Sequence, residues 1–221
     1  ATGNSFFTGQ HTQFMKFDLK SDCYLKLIEW ANPDIIIHSG ALTNGNFCEE
    51  NPDVAFNING ISVQKFLKAT NKNVKIIYIS TDAVFSSSQH LAKELDCVFP
   101  ENVYGKSKEL GEFFLKTSTD RKYTIIRTTI FGLNLNKNKV GFVEWIINNA
   151  KEGKQIGLFT DVLFTPISIW DLITEIKFLI KTDNINSESL HIAGELCTKY
   201  DFGYKLLDEL KISTKTILKS S

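Results

Sequence analysis

The stretch that decides the fold is VKIIYISTDAVF at Val74–Phe85, which is followed along the chain by ENVYGKSKELGE at Glu101–Glu112. Its first part, Val74–Ser80, does not alternate polar and apolar residues, which is typical of a strand buried on both faces. The second stretch has helical spacing and predicts a helix over Tyr104–Lys116. A buried strand with a polar end and a following helix is the repeating unit of a parallel sheet covered by helices.

The same alternation occurs elsewhere in the chain. Further buried strands are predicted at Asp34–His38 and Tyr123–Arg127, and helices at Tyr24–Ala31 and Pro52–Ala69. Because strands and helices alternate, we predict an α/β fold with a doubly wound parallel sheet of the Rossmann-like type.

The chain changes character after the strand at Tyr123–Arg127. The stretch FGLNLNKNKVG, residues 131–141, is predicted to be a loop, and Phe142–Lys151 is predicted to be a helix. We expect a dinucleotide-binding domain over residues 1–132. A smaller substrate-binding lobe is expected over residues 133–221, with some segments returning to the sheet.

The glycine-rich turn that normally opens a dinucleotide-binding sheet is missing, since no GxGxxG occurs in the chain. The opening stretch ATGNSFFTGQ, residues 1–10, is predicted to be the tail of a second strand and the loop after it. We therefore expect that the first βα unit is not included in this sequence. We expect the native polypeptide to continue upstream by roughly 30 residues, with a strand and a GxxGxxG-type turn.

Composition narrows the function. The chain has 25 basic residues (lysine plus arginine) and 25 acidic residues (aspartate plus glutamate), so its net charge is zero. It therefore lacks the excess of positive charge with which proteins bind nucleic acid or an anionic membrane. The apolar runs are far shorter than the ~20 residues of a membrane span. The four cysteines lack a CxxC pair and a neighbouring histidine, which indicates reduced thiols rather than disulfides or a metal site. We expect a cytoplasmic protein without a metal.

Tyr104 and Lys108 carry the proposed chemistry, because residues at i and i+4 share a helix face. A nearby ammonium lowers the pKa of a tyrosine from about 10, which would make Tyr104 a general acid–base near neutral pH. Thr81, at the strand end, could polarise a carbonyl oxygen that Tyr104 protonates while a nicotinamide delivers hydride to its carbon. Lys108 could also hold a ribose hydroxyl. The alternative is an ordinary surface helix, since the spacing alone does not decide.

Taken in order, these motifs resemble the extended short-chain dehydrogenases/reductases, and within them the dTDP-4-dehydrorhamnose reductase family. The resemblance runs from about Phe17 to Asp208. The matching stretches are FDL at Phe17–Leu19, PDIIIHSGALTNGNFCEENPDVAFNING at Pro33–Gly60, IIYISTDAVF at Ile76–Phe85, ELDCVFPENVYGKSKELGE at Glu94–Glu112, IIRTTIFG at Ile125–Gly132 and TPISIWDL at Thr165–Leu172.

The resemblance implies site residues position by position. Thr81, Tyr104 and Lys108 correspond to the catalytic three. The remaining implied residues fall into two groups. The cofactor-binding residues are Asp18 and Leu19 at the adenine, Ser39, Gly40, Ala41 and Thr43 along the cofactor channel, Asn59 as an organiser of the site, Thr129 near the nicotinamide, and Ser80. The substrate-binding residues are Val84, Phe85 and Asn102 at the sugar.

The implied activity is reduction of a nucleotide-linked 4-keto-6-deoxy sugar by NADPH or NADH, for a deoxysugar of surface polysaccharide. Two departures stand out. Gly40 and Ala41 stand where the family usually has two alanines, a mild change that is compatible with cofactor binding. VFSSS replaces a VFDG-like turn on the substrate side, which leaves the sugar undetermined. The oligomeric state is also open, with a homodimer as one alternative.

Two other functions remain open. The same family resembles the regulatory subunit of methionine adenosyltransferase, a binding protein without the reductase reaction. A nucleotide-sugar epimerase would share the tyrosine and lysine. A dehydratase is disfavoured, because Asp82 is followed by Ala83 where such enzymes commonly carry a glutamate.

Overall fold

The computed structural model describes residues 2–3, 12–134 and 140–221. Contacts divide the chain into two compact units, Ala1–Arg127 with Thr182–His191 and Thr128–Lys181 with Ile192–Ser221. Most of the predicted N-terminal strand tail and loop, and residues 135–139 of the predicted loop after the third strand, lie outside the described residues. Within the described ranges, no helix combines the length and hydrophobicity needed to cross a membrane.

Short strands and longer helices alternate along the chain. The strands are β1 Thr2–Gly3, β2 Met15–Lys16, β3 Ile35–His38, β4 Lys75–Thr81, β5 Tyr123–Phe131, β6 Ile156–Phe159, β7 Leu163–Phe164, β8 Pro166–Ser168, β9 Glu188–His191, β10 Cys197–Thr198 and β11 Ile217–Ser220. The helices are α1 Tyr24–Ala31, α2 Gly45–Glu50, α3 Pro52–Ala55, α4 Ser62–Ala69, α5 Val103–Lys116, α6 Phe142–Lys151, α7 Ile169–Lys181 and α8 Lys199–Glu209.

The first unit is built on a parallel sheet. Strand β4 lies between β3 and β5, and β9 pairs in parallel with the first half of β5. Apolar residues from α4, β4, α5 and β5 form one core, which includes Val63, Ile76, Tyr78, Leu115 and Ile125. Parallel strands connected through helices confirm the predicted Rossmann-like α/β fold.

The second unit has its own core and short sheets. The last residues of β5, Thr129–Phe131, pair in parallel with β8, which is why this strand runs beyond the predicted end at Arg127. Strands β6 and β11 form a parallel pair, and β7 and β10 an antiparallel pair. The core of the unit contains Ile146, Ala150, Ile156, Leu158, Leu207 and Ile217.

Strand β3 is less buried than its sequence predicts. Ile37 is 46% exposed and Ile35 and Ile36 are only half-buried. Among the described residues, β3 forms the edge of its sheet and pairs only with β4. The prediction that this strand is buried on both faces is therefore wrong.

The predicted helix over Pro52–Ala69 is interrupted by a π-helical turn at Phe56–Ile61, which separates α3 from α4. The Ser62 N–H donates to the Asn57 carbonyl, the i to i+5 bond of a π-helix. The Tyr78 hydroxyl donates to the Asn59 carbonyl at 3.0 Å, so a side chain of β4 takes up an oxygen of the widened turn. Widened turns of this kind are frequent at functional sites.

Helix α5 approaches the turn after β4 closely. A Cβ built on Gly105 would lie 2.2 Å from the Ala83 carbonyl oxygen and 2.9 Å from Pro100 Cβ. Gly111 similarly faces Tyr78, whose hydroxyl oxygen would lie 2.4 Å from an added Cβ. Because a backbone carbonyl cannot move aside as a flexible side chain can, Gly105 fixes how near the helix begins to the strand.

We expect Gly105→Ala to lower the free energy of unfolding by about 2 kcal/mol, the scale of an overpacked interior. Urea unfolding would measure it. Gly45→Ala is the matched control, because Gly45 also lies in a first helical turn but has nothing within 4 Å of an added Cβ. Equal unfolding midpoints for the two variants would contradict the role given to Gly105.

His38, the last residue of β3, is enclosed in the first unit and is 5% exposed. Its Nε2 lies 3.0 Å from Ser62 Oγ, and its ring packs against Phe66 and Tyr78. Burial, together with the positive charge of Lys108, lowers the pKa of His38 to about 3. The folded chain therefore holds this histidine neutral at neutral pH.

This burial makes stability depend on pH. The unfolded chain protonates His38 below its ordinary pKa of 6.5, whereas the folded chain resists protonation down to about 3. The free energy of unfolding is therefore not reduced by His38 above pH 6.5, and it falls as the pH drops from 6.5 towards 3. The loss is about 2 kcal/mol by pH ~5. Urea unfolding is measured above pH 6.5 and again at pH ~5. Between these two conditions, the His38→Gln variant should lose less free energy of unfolding than the wild type. An unchanged pH dependence would rule this out.

Candidate active site

The candidate site begins at the carboxyl end of β4, where Thr81 is the last residue of the strand. Thr81 is buried, its Oγ1 accepts a hydrogen bond from the Ala83 N–H at 3.2 Å, and its hydroxyl donates to Asp82 Oδ1 at 3.1 Å. These contacts fix the rotamer of Thr81. Its hydroxyl is thereby held at the place where ligands of parallel sheets bind.

Tyr104 lies in the first turn of α5. Asn102 caps this helix, since its Oδ1 accepts a hydrogen bond from the Gly105 N–H at 2.7 Å. Burial raises the pKa of Tyr104, a hydrogen bond with Thr81 acts in the opposite direction, and the charge of Asp82 raises the pKa further. The structure thus brings Tyr104 and Thr81 together.

Lys108 follows one helical turn later and is buried, with 2% of its surface exposed. Its Nζ donates to the Ile79 carbonyl oxygen at 2.7 Å and lies 4.0 Å from the centre of the Tyr78 ring. Burial lowers the pKa of Lys108 to about 7, and the charge of Glu112 opposes that effect. The ammonium therefore begins to lose its proton near neutral pH.

These values correct one sequence-based expectation. Lys108 was predicted to lower the pKa of Tyr104, but the pKa of Tyr104 is raised because burial dominates. The spacing of the two residues does place them on one helix face. It does not reveal that both are withdrawn from water, which penalises the charged form of each.

The loop after β3 carries the predicted cofactor channel. Ser39, Gly40 and Thr43 are exposed, and Ala41 is half-buried. Asn59, in the π-helical turn, is fully buried. Its Oδ1 accepts from the Leu42 N–H at 2.8 Å and its Nδ2 donates to the Leu42 carbonyl at 3.0 Å, so one side chain holds the loop by both backbone groups.

The same amide reaches the helix that carries Tyr104. Asn59 Nδ2 lies 2.8 Å from Ser107 Oγ, and the Ser107 hydroxyl donates to the Tyr104 carbonyl at 2.7 Å. Asn59 thus ties the loop after β3 to the first turns of α5. Its role as an organiser of a cofactor site stays a prediction.

Asp18 and Leu19 precede α1. The Asp18 carboxylate accepts hydrogen bonds from the Lys20 N–H at 3.0 Å and the Ser21 hydroxyl at 2.8 Å, and the first of these lowers the pKa of Asp18. Leu19 contacts Gly40, where an added Cβ would lie 2.8 Å from Leu19 Cδ1. The structure therefore brings Leu19 next to the loop after β3.

Four residues predicted to bind the cofactor or the sugar have other surroundings in the structure. The Ser80 hydroxyl donates to Glu112 Oε1 at 2.7 Å and Ser80 is buried, so its side chain faces the interior rather than a cofactor. Val84 is fully buried, which withdraws its side chain from a sugar. Phe85 packs edge-on against His191 and under the Arg127 guanidinium, 4.9 Å from its Cζ. Thr129 belongs to the second unit, where it pairs with Pro166.

Sequence reasoning missed Glu112 and Arg127, which form a buried ion pair. Arg127 Nη2 lies 2.7 Å from Glu112 Oε2 and Arg127 Nε lies 3.0 Å from Oε1, with both side chains almost fully buried. The position of Glu112, four residues after Lys108, was readable from the sequence. Its partner fifteen residues further along could be found only from the fold.

Residues 11–220 match the family described as the RmlD substrate binding domain. The spore coat polysaccharide biosynthesis protein SpsK of Bacillus subtilis is 30% identical over 186 residues, which are 82% of this chain and 63% of that protein. A dTDP-4-dehydrorhamnose reductase of Aggregatibacter actinomycetemcomitans is 29% identical over 204 residues, 89% of this chain and 68% of that protein. The chain thus spans about two thirds of the length of these curated relatives.

A solved structure gives the same result. The dTDP-4-dehydrorhamnose reductase of Bacillus anthracis, in complex with NADP, superposes with a TM-score of 0.83 at 27% identity, covering 97% of this chain and 77% of that one. The resemblance drawn from the sequence motifs is confirmed. Since the family match extends over nearly the whole sequence, this chain belongs to the RmlD substrate binding domain family.

Proposed function

We propose that this chain reduces a nucleotide-linked 4-keto-6-deoxy sugar with NADPH or NADH. The observation that carries the proposal is that Tyr104, in the first turn of α5, lies close enough to Thr81 at the end of β4 for Thr81 to influence the pKa of its phenol, with Lys108 one helical turn further along α5. Ligands of open parallel sheets bind beyond this end of the strands. Relatives named dTDP-4-dehydrorhamnose reductase, one of them solved with NADP, support the substrate and cofactor classes.

The residues present fit a nicotinamide dinucleotide. The Lys108 ammonium has three donors, and in the described part of the chain it makes one hydrogen bond, to Ile79. Donors therefore remain for a ribose hydroxyl. Ser39 and Gly40 are small and exposed, which allows a ligand close to the backbone.

The residues of this chain have different roles in the proposed reaction. The ordinary pKa of a tyrosine is about 10 and burial raises that of Tyr104 further, so Tyr104 carries its proton at neutral pH and can give it to the carbonyl oxygen of the sugar. When the substrate binds, the Thr81 hydroxyl exchanges its hydrogen bond to Asp82 Oδ1 for one to that oxygen, and Lys108 holds the ribose. When bound, the nicotinamide supplies the hydride that adds to the carbonyl carbon. Residues 1–132 are assigned to the dinucleotide and residues 133–221 to the sugar nucleotide, with Phe85 and Asn102 on the sugar side.

The wider role follows from the relatives. Proteins named for spore coat polysaccharide and for low-salt glycan biosynthesis support production of a deoxysugar for a surface polysaccharide. A cytoplasmic location is part of the proposal, and the four cysteines, all free thiols, agree with a reducing compartment.

The direct test is to mix the purified chain with NADPH or NADH and a panel of nucleotide-linked 4-keto-6-deoxy sugars. We expect oxidation of the nicotinamide only when a keto sugar is supplied. Nicotinamide binding without sugar-dependent turnover would favour the regulatory binding subunit. Interconversion of sugar epimers without net oxidation would favour the epimerase.

Within that assay, Tyr104→Phe should reduce turnover by about 10²-fold or more, because the general acid is removed while the ring is kept. Affinity for NADPH, measured by fluorescence titration, should stay within a few fold of the wild type. The control is Tyr204→Phe, the same change at an exposed tyrosine of α8. Turnover of Tyr104→Phe within a few fold of the control would remove Tyr104 from the mechanism.

A further inference from the structure

Tyr78, in the middle of β4, contacts two residues of the candidate site, Asn59 and Lys108, and is fully buried. Its hydroxyl donates to the Asn59 carbonyl oxygen at 3.0 Å and lies 3.4 Å from the Lys108 carbonyl oxygen. Its ring lies 4.0 Å from Lys108 Nζ, the geometry of a cation–π contact. One side chain of the sheet therefore meets the π-helical turn and α5 at once.

The carbonyl that Tyr78 holds belongs to the π-helical turn at Phe56–Ile61. A π-helical turn is wider than an α-helical turn, because its hydrogen bonds span five residues instead of four. Its return to an α-helix would shift the register by one residue, which rotates a side chain by about 100° around the axis. The bond from Tyr78 opposes this rotation at Asn59.

The side chain of Asn59 depends on that orientation. Its amide bonds both backbone groups of Leu42, the N–H at 2.8 Å and the carbonyl at 3.0 Å, and it donates to Ser107 Oγ at 2.8 Å. Leu42 lies in the loop after β3, where the cofactor channel is predicted. Asn59 is thus held from β4 through its backbone and in turn holds the loop through its side chain.

The hydroxyl of Tyr78 and its acceptor are tightly enclosed. A Cβ built on Gly111 of α5 would lie 2.8 Å from Tyr78 Cζ and 2.9 Å from the Asn59 carbonyl oxygen. Asn59 is as fully buried as Tyr78. Because a buried carbonyl that loses its donor is not readily solvated, the bond from Tyr78 is costly to replace.

We propose that Tyr78 is a positioning residue, whose hydroxyl fixes Asn59, and through it the loop after β3, relative to the Lys108 ammonium that its ring supports. The consequence for the cofactor rests on the proposed function, in which this loop and Lys108 bind the same dinucleotide. Tyr78 touches neither cofactor nor substrate in this account. It acts through Asn59 and Lys108.

The test follows amide hydrogen exchange by NMR in the protein without any ligand. The Leu42 N–H donates to Asn59 Oδ1, so its exchange rate reports whether Asn59 stays in place. Tyr78→Phe removes the hydroxyl and keeps the ring, and with it the packing of the core. We expect the Leu42 amide to exchange about tenfold faster in this variant, the scale of one net hydrogen bond.

Two further variants define the range of this measurement. Asn59→Ala removes the acceptor of the Leu42 N–H and should give the fastest exchange. Tyr123→Phe is the matched control, because it removes the hydroxyl of another buried tyrosine of the same core, on β5, and should leave the Leu42 rate unchanged.

The amides of β5 in the same samples report any general loss of stability. A wild-type Leu42 rate in Tyr78→Phe would overturn the proposal. So would an increase shared equally by Leu42 and the β5 amides, because that is the effect of a hydroxyl that only stabilises the fold.

NADPH binding provides a second readout. Since Tyr78→Phe keeps the ring beside Lys108, turnover at saturating NADPH and keto sugar should stay within a few fold of the wild type, while the Kd for NADPH rises about tenfold. Lower turnover at an unchanged Kd would count against Tyr78, because a smaller folded fraction has that effect. If the wild type does not bind NADPH, the proposed function fails, and Leu42 exchange still decides the role of Tyr78.

Discussion

The approach of α5 to the end of β4 is the constraint on which the whole site depends. The Ala83 carbonyl oxygen occupies the space where a side chain at position 105 would begin. Because the helix begins this close, Tyr104 reaches Thr81 and Lys108 lies against Tyr78. Moving the start of the helix by one residue would rotate these side chains by about 100° around its axis. The tyrosine would then face away from the strand end.

Two buried ionisable residues one turn apart on α5, Lys108 and Glu112, have different surroundings. The carboxylate of Glu112 has charged partners and remains ionised, whereas Lys108 is surrounded mainly by neutral groups and titrates near 7. The consecutive residues Ser80 and Thr81 of β4 contact Glu112 and Tyr104 respectively. Strand β4 therefore lies against α5 both at Tyr104 and at Glu112, the two ends of the helix segment that carries the site. A buried pair such as Glu112 and Arg127 is strongly destabilising when only one partner is removed, which fits a role in fixing geometry.

Much of this arrangement could be read from the sequence. Apolar runs located β4 and β5, helical spacing gave α1 and α6 their limits, and the interval between Tyr104 and Lys108 placed both on one face. The π-helical turn could not be read, because it depends on the hydroxyl of Tyr78 meeting the Asn59 carbonyl across the fold. The shifted pKa values of Tyr104 and Lys108 were missed for the same reason. Burial is a tertiary property, and here it outweighs the local pairing that the spacing suggests.

The most direct test of the account is a crystal structure of this chain with NADPH bound. The account predicts that Lys108 Nζ lies within hydrogen-bonding distance, about 2.7–3.2 Å, of a ribose hydroxyl, with the Tyr104 hydroxyl and Thr81 facing the nicotinamide side. It also predicts contact of the cofactor with the loop that Asn59 holds through Leu42. A structure with NADPH bound elsewhere, and with Lys108 and Tyr104 both remote from it, would contradict the central claim.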